Sequence, residues 1–566
     1  MKSANLEESE QLSLVQKLTT VRVNPVNNKC LTIPLLRLDN PYSINFHLSW
    51  LGFAVAFLSW FAFSPLIPEA VRTDLNLTQK QIGNSNIVSL CATLIMRVVV
   101  GYLVDRFGPR RVMAGLLLVG AIPSGLAGTV NSAEGLYVIR FFIGILGATF
   151  VPCQVWTTTF FDTSVVGRAN ALVGGWGNSG GGFTFIIMVA LYNRLREDHI
   201  SAHSAWRAAF AIVPVPVLIT VAIVTLIFGT DHPDGKWSER EGSSGNKSLS
   251  DPEASSGTYE GADSGHAGEK ARRSVSLGEE SGKQSDTLPE LKGSDVNVGH
   301  TLAALYSVAA NPVTWLPALA YLTSFGFELA MDANLSNVLF GLYHPTNSSF
   351  GQTTSGYIAS IYGMLNIFTR PFGGYLGDLI YKKYGVRGKK YLVLITGLVQ
   401  GVLSVGLGVY IDHGRSASSP PLAGVVVLMV FLATINEIAN GANFSLVPHC
   451  NPGTNGFMTG IVGAMGNLGG ICFALLWRYQ PAPFGKAFWI AGIVTIVRED
   501  CCHIVIRRLT DRTGDKPGSG RHPSATKTTS ITSLYIARSE QVKRLGFVTL
   551  PYNKYSPIDK SSLFTT

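Results

Sequence analysis

Charge is what this sequence has least of. Only 14% of its 566 residues are Asp, Glu, Lys or Arg, against about 25% in soluble domains, so a chain solvated on all sides is excluded. Spaced cysteine pairs are missing as well. The seven cysteines, among them Cys91, Cys153 and Cys472 within apolar stretches, follow no zinc or disulfide spacing and read as small core residues. A phosphate-binding glycine loop, a metal-ligand cluster and a catalytic-triad pattern are equally missing, which argues against an enzyme and against a cofactor or metal. No cleavable leader is evident either: the first apolar run begins near Phe46, behind a polar segment holding Glu7, Glu8, Arg22 and Arg37, so it reads as a retained helix.

Apolar runs are abundant. Hydrophobic residues make up 46% of the chain, and runs of about 20 residues, enough to cross a ~30 Å hydrocarbon core, recur from Phe46 onward. The spans fall near 46–69, 82–103, 112–130, 136–160, 168–192 and 207–229, then 313–338, 354–378, 391–411, 422–446, 456–478 and 484–497. The expected fold is all-α and integral to the membrane, with twelve transmembrane helices as two six-helix pseudo-symmetric bundles. The domains read as an N-terminal segment (1–45), a first bundle (46–229), a linker (230–311), a second bundle (312–500) and a polar tail (501–566). The linker is rich in Ser, Gly, Glu and Lys, too polar to bury a core; its Ser274 and Ser276, beside Arg272 and Arg273, are candidate phosphorylation sites. The twelfth span is short. After FGKAFWIAGIVTIV the apolar run gives way at Arg498, Glu499 and Asp500, which leaves either a short helix that thins the bilayer or a misread terminal coding region.

The net charge of +9 does not form a nucleic-acid stripe. Basic residues instead cluster after span two (Arg106, Arg110, Arg111), after span eight (Lys382, Lys383, Arg387, Lys389, Lys390) and in the linker. By the positive-inside rule the N-terminus, linker and C-terminus are cytoplasmic. Two glycosylation sequons, at Asn76 and Asn347, fall in loops that this topology places outside.

The two halves repeat each other. Arg97 is followed by GYLVDRFGPRR, with Gly101 and Asp105, and Arg370 by PFGGYLGD, with Gly374 and Asp378, so Arg, Gly and Asp keep one spacing in both. GATF (Gly147 to Phe150) matches GANF (Gly441 to Phe444), and VGGWGNSGG, with Asn178, matches VGAMGNLGG, with Asn467. Carriers built from such repeats place substrate near the bilayer midplane, between halves that rock about it.

Arg97 and Arg370 each lie eight residues before an acid at a helix end, about 12 Å along the axis and close to mid-membrane. An arginine there costs roughly 2.5–3.5 kcal/mol and nearly always faces a cavity. One alone fits an internal ion pair as well as a ligand site. Two at repeat-related positions favour ligand binding, and forked guanidinium donors suit a planar oxyanion gripped from both sides. The glycines of the repeated segments read as helix packing, whereas Asn178 and Asn467 are carboxamides able to reach a neighbouring helix or a ligand. Phe150, Phe444, Tyr321 and Phe325, taken singly, are ordinary core or lining aromatics.

The stretch GYLVDRFGPRR resembles the loop signature of the major facilitator superfamily, with Pro109 standing where a basic residue is usual. The resemblance implies a conformational gate at Gly101, Asp105, Arg106 and Gly108, with Asp378 as its counterpart in the second half. Segments such as RFFIGILGATFVPCQVW, GGWGNSGGG, SFGFELA, GANFSLVPH and GAMGNLGGICFA are similar to the nitrate/nitrite porter family, most of all its fungal high-affinity nitrate transporters. That likeness covers about 30–497 apart from the linker. It implies that Arg97 and Arg370 clamp nitrate, that Phe150 and Phe325 sandwich it, that Tyr321 hydrogen-bonds it, and that Asn178 and Asn467 line the site.

The family likeness also implies proton symport, importing nitrate or nitrite across the plasma membrane. An anion moving inward against an inside-negative potential costs about 2.3 kcal/mol per charge per 100 mV, so more than one proton per nitrate is needed if the potential is to help. Glu328 in span seven is the candidate for proton coupling, pairing with an arginine and taking up a proton as nitrate arrives; the alternative is a static ion pair. The expected partners are nitrate, nitrite, protons and the lipid bilayer, with a monomeric carrier and no nucleic acid. Two other functions fit the same residues: a nitrate sensor without productive transport, and a carrier of another small anion.

Overall fold

Helices begin where the sequence supplies caps. Asn40 and Asn311 each precede a proline at a helix start and each accepts a first-turn amide, from Ser43 and Val313 respectively. Asn at the cap and Pro at the first helical position is a strong start signal, and here it opens the first helix of both halves. Thr78 and Gln81 form a capping box, while Gly108 ends that helix at φ 86°, a conformation that favours glycine.

The protein is described by a computed structural model over residues 13–235, 237, 305–413, 419–451, 455–480 and 484–512. Most of the expected linker, including Ser274 and Ser276, and the tail beyond Arg512 lie outside the described residues. The chain divides at Val505, and apart from the last turns of the final helix all that follows lies before that point. Its long helices are α1 (Pro41–Trp60), α2 (Gln79–Phe107), α3 (Pro109–Thr129), α4 (Ala133–Phe160), α5 (Val166–Glu197) and α6 (Ala202–Phe228). The second half supplies α7 (Pro312–Tyr343), α8 (352–384), α9 (386–413), α10 (Leu422–Leu446), α11 (Asn455–Tyr479) and α12 (Phe484–Arg512). α8 and α9 run continuously except at Gly385, whose φ of 61° and ψ of −155° break the helical path.

Among the described residues seven helical runs are long and apolar enough to cross a membrane; one of them spans both α8 and α9, so eight helices are covered. The other four, α1, α5, α7 and α12, carry more polar groups or glycine. For α5 and α7 the reason is position: α7 buries Glu328, Asp332, Asn334 and Asn337, and α5 buries Asn170 and Asn178. A helix enclosed by protein need not match lipid.

The twelfth helix extends further than the apolar run does. α12 continues through Arg498 to Arg512, because Arg, Glu and Asp do not break a helix. Ala487, Phe488 and Ala491 are buried, and Arg498 donates to the Thr323 hydroxyl and the Ala320 carbonyl of α7.

Two seams join the halves, α2 against α11 and α5 against α8. Repeat-related glycines let them close. A methyl placed on Gly101 would come 2.9 Å from the Gly456 carbonyl oxygen, and one on Gly374 would come 2.6 Å from that of Gly167, both closer than Cβ atoms are found.

Candidate functional site

Halfway along these seams the structure gathers most of the residues singled out by sequence. Arg97 and Arg370 are fully buried. Arg97 comes from α2 in the first half, and its Cζ lies 4.9 Å from both the Phe150 and the Phe325 ring centroids. Arg370 comes from α8 in the second half and lies 6.0 and 5.7 Å from the same two rings. Two guanidinium groups from opposite halves therefore share one pair of aromatic faces, within cation–π range. Tyr321 stacks on Phe325 at 4.6 Å, and Phe444 meets Phe150 edge-on at 4.7 Å.

Local backbone features place each arginine. α4 tightens into a 3-10 turn over Gly144–Thr149, which re-aims carbonyls that a regular helix would keep for itself; Arg97 Nε donates to the Gly147 oxygen at 3.1 Å. Its Nη1 donates to the Gly463 oxygen of α11 at 2.8 Å, and its Nη2 has no hydrogen-bond partner. Arg370 donates from Nη2 to the Tyr321 hydroxyl at 2.9 Å and pairs through Nη1 with Glu328 at 3.4 Å and Glu437 at 3.9 Å. Its Nε is unpartnered.

The repeated glycine segments contribute more than helix packing. A methyl on Gly463 would lie 3.0 Å from Arg97 Cδ, and one on Gly174, the matching position of the other half, 3.1 Å from Arg370 Nε. Each half thus leaves room for the arginine of the other. Gly466 backs Tyr321 and Phe325 in the same way.

Asn178 and Asn467 diverge despite their matching motifs. Asn178 Nδ2 donates to Glu328 Oε1 at 2.8 Å, whereas Asn467 Nδ2 returns to the Gly463 oxygen at 3.1 Å, the carbonyl that Arg97 also uses. Both keep an unpartnered Oδ1. Glu328 lies with Arg370 and is further held by Asn366 and Asn440 at 2.9 and 2.7 Å. The sequence reading passed over Glu437, Asp332, Asn366 and Asn440. The two acids carried a usable signal, since carboxylates inside apolar spans mark functional positions; Tyr321, Phe325, Glu328 and Asp332 also follow a 4-3-4 spacing that puts them on one face of α7.

At the end of the seams nearest the linker, Asp105 accepts from the Gly456 and Phe457 amides at the start of α11, at 3.2 and 3.3 Å. Asp378 mirrors it, accepting from the Arg168 amide in the first turn of α5 at 2.9 Å, from Arg168 Nε at 3.3 Å and from Lys389 Nζ at 3.1 Å. Carboxylates at helix N-termini satisfy free amides and complement the helix dipole. Arg106 does not join this contact: it donates to Tyr102 and lies over Phe107, both on its own helix. Gly108 ends α2 against the Asp231 carboxylate and Trp237. At the opposite end, Gln352 of α8 accepts from the Glu69 and Ala70 amides at 3.1 and 3.0 Å, and Asn193 of α5 meets Thr353 at 3.2 Å.

Comparison with known proteins agrees with this architecture. The sequence pattern of the Major Facilitator Superfamily matches residues 49–474. The chain is 30% identical over 473 residues to nitrate transporter 2.1 of Chlamydomonas reinhardtii, covering 82% of this chain and 74% of that one. It is 32% identical over 452 residues to high affinity nitrate transporter 2.5 of Arabidopsis thaliana, covering 80% and 76%. In fold it is similar to a bacterial homolog of the human lysosomal transporter Spinster, in an inward-facing and unoccupied conformation, with a TM-score of 0.51 at 14% identity over 85% of this chain and all of that one. Twelve long helices among the described residues, in two repeated halves, the matched superfamily pattern and relatives at this identity lead to one assignment: the chain belongs to the major facilitator superfamily and, within it, to the nitrate/nitrite porter family.

Proposed function

We propose that this protein imports nitrate, and nitrite as a second substrate, together with protons, working as a monomer in the plasma membrane with its termini and linker in the cytoplasm. The observation that carries the reading is the pair of buried guanidinium groups, one from each half, set against the same Phe150 and Phe325 faces. Nitrate is planar and accepts hydrogen bonds along its edges, so it fits between forked donors with aromatic rings above and below. Arg97 donates only to neutral carbonyls, and an anion supplies the charge those carbonyls lack. The relatives named above are nitrate transporters, which supports the choice of anion.

Two sets of contacts between the halves support alternating access. Asp105 and Asp378 latch the cytoplasmic end, while Gln352 and the Asn193–Thr353 contact close the outer end; with both sets made the site is closed at both ends, and rocking about the arginine pair releases one set at a time. Glu328 is the counter-charge to Arg370 and belongs to the proton-coupling group.

Labelled nitrate and nitrite uptake in a transport-null cell tests this, comparing wild type with Arg97→Lys and Arg370→Lys. Lysine keeps the charge but loses the fork, and a weakening of affinity by at least about tenfold, or 1.4 kcal/mol, is expected for each. Wild-type uptake in both variants would remove the arginines from the site. Nitrate binding without flux would mark a sensor instead.

A further inference from the structure

We propose that the groove where the N-terminal segment, α5 and α8 meet holds an anionic phospholipid, with its phosphate among Lys17, Arg168 and Lys382 and an acyl chain along the aromatic face of α8. The geometry is independent of the nitrate reading. The supply of such lipids on this side rests on the orientation proposed above, with the linker in the cytoplasm, where the leaflet carries acidic headgroups.

The groove encloses about 470 Å³, within the range of small-molecule sites, and its walls are anchored. Ahead of α1 the chain is tied to the end of α4: the Cys30 amide donates to the Phe160 carbonyl and the Asp162 amide to the Cys30 carbonyl, both at 2.9 Å, while Asn24 and Asn27 donate to the Asp162 carboxylate at 3.1 and 2.9 Å. The short helix Leu14–Thr19 of this segment supplies Lys17 and Leu18 to one wall. Arg168 and Leu172, one turn apart on a single face of α5, line it from the first half. Phe368, Phe372, Tyr375 and Lys382 line it from the second half, and their spacing puts them on one face of α8.

Polarity changes along this groove as it does along a lipid. From Lys382 back to Phe368 the α8 axis runs about 21 Å, close to one leaflet of a bilayer that is about 40–45 Å thick with its headgroups. The cations stand at the linker-side end and exposed aromatics at the other, Phe368 at 74% and Phe372 at 48% exposure. Exposed aromatics alone are ordinary on a helix that faces lipid; a cationic end and a second wall beside them are not. No Asp or Glu is among the lining residues, and Arg168 is partly balanced by Asp378 at 3.3 Å, so the two lysines leave a positive charge suited to a phosphodiester. A free anion would use that end and leave the apolar length empty. Because the walls come from both halves, a lipid seated there binds best while the α5–α8 seam is closed, and it favours that arrangement.

Two measurements on the whole carrier, purified in detergent, test the inference without using nitrate or sidedness. In the first, native mass spectrometry compares phosphatidylserine with phosphatidylcholine of the same chains. Wild type is expected to retain phosphatidylserine at least about tenfold more tightly, and Lys17→Gln combined with Lys382→Gln to remove that preference. Lys383→Gln, beside Lys382 in sequence but not lining the groove, is expected to keep it. Equal retention of the two lipids by wild type, or the same loss from Lys383→Gln alone, would overturn the proposal. In the second, thermal unfolding of the wild type is followed with phosphatidylserine, with glycerophosphoserine and with inorganic phosphate. Only the intact lipid is expected to raise the melting temperature. An equal rise with glycerophosphoserine or phosphate would mark a free-anion site and overturn the lipid assignment, as would no rise with phosphatidylserine. Selective retention of phosphatidylserine in a protein whose linker proves to face outward would sink the orientation and leave the groove's ligand standing.

Discussion

At the scale of single residues, space matters as much as charge. Gly466 lies behind Tyr321 and Phe325, and a methyl there would come 2.7 and 2.9 Å from their ring carbons. Gly466→Ala is therefore expected to push both rings toward the arginines and cut nitrate affinity by roughly tenfold or more, as overpacking costs about 1–3 kcal/mol. Gly406→Ala is the matched control: no atom lies within 4 Å of its added carbon, and uptake is expected to stay at the wild-type level. Nitrate uptake kinetics on the pair decides the point. Asn178 offers a second residue-scale test. Because its amide donates to Glu328, Asn178→Asp sets a second carboxylate against that acid, and loss of uptake is expected to exceed that of Asn178→Ala, with partial recovery at low pH as the new pair gains a proton.

At the scale of elements, the helix starts of α5 and α11 are the parts under load. Each is capped by an acid from the opposite half, Asp378 and Asp105, and a lost cap costs about 0.5–2 kcal/mol. Asp105→Ala and Asp378→Ala are each expected to lower the melting temperature in detergent. Combined, they should raise the reactivity of a cysteine introduced as Phe444→Cys toward a charged thiol reagent applied from the linker side, because that end of the seams is then easier to open. Unchanged labelling in the double variant would show that these caps do not restrain opening. α12 is legible in sequence only as far as its apolar stretch. Its seat was not: Gly401 and Gly408 of α9 bring it within backbone contact, and Gly408→Leu, which would strike Trp489, is expected to lower thermal stability.

At the scale of the whole molecule, the proposed alternating access requires that the two ends open in turn. Asn193 and Thr353 face each other across the end of the seams far from the linker. Replacing both by cysteine and bridging them with a short bifunctional thiol reagent is expected to stop uptake, with recovery on cleaving the bridge; continued uptake in bridged protein would exclude opening at that end. The twelve apolar or repeat-marked spans, the duplication and the two arginines at matching positions were all readable from the chain, because hydrophobic length and spacing along a helix are local properties. The site's charge balance was not. Glu437 gave no local sign of its partner, and it joins Glu328 beside the Arg370 guanidinium only where α7, α8 and α10 pack together. The same motif sent Asn178 to a carboxylate and Asn467 to its own helix, since an acid stands opposite one amide and not the other. Periodicity and composition determined which segments enter the membrane; the packing of the two halves alone decided which buried groups share a charge, because hydrogen bonds and ion pairs depend on distances that no spacing along the chain specifies.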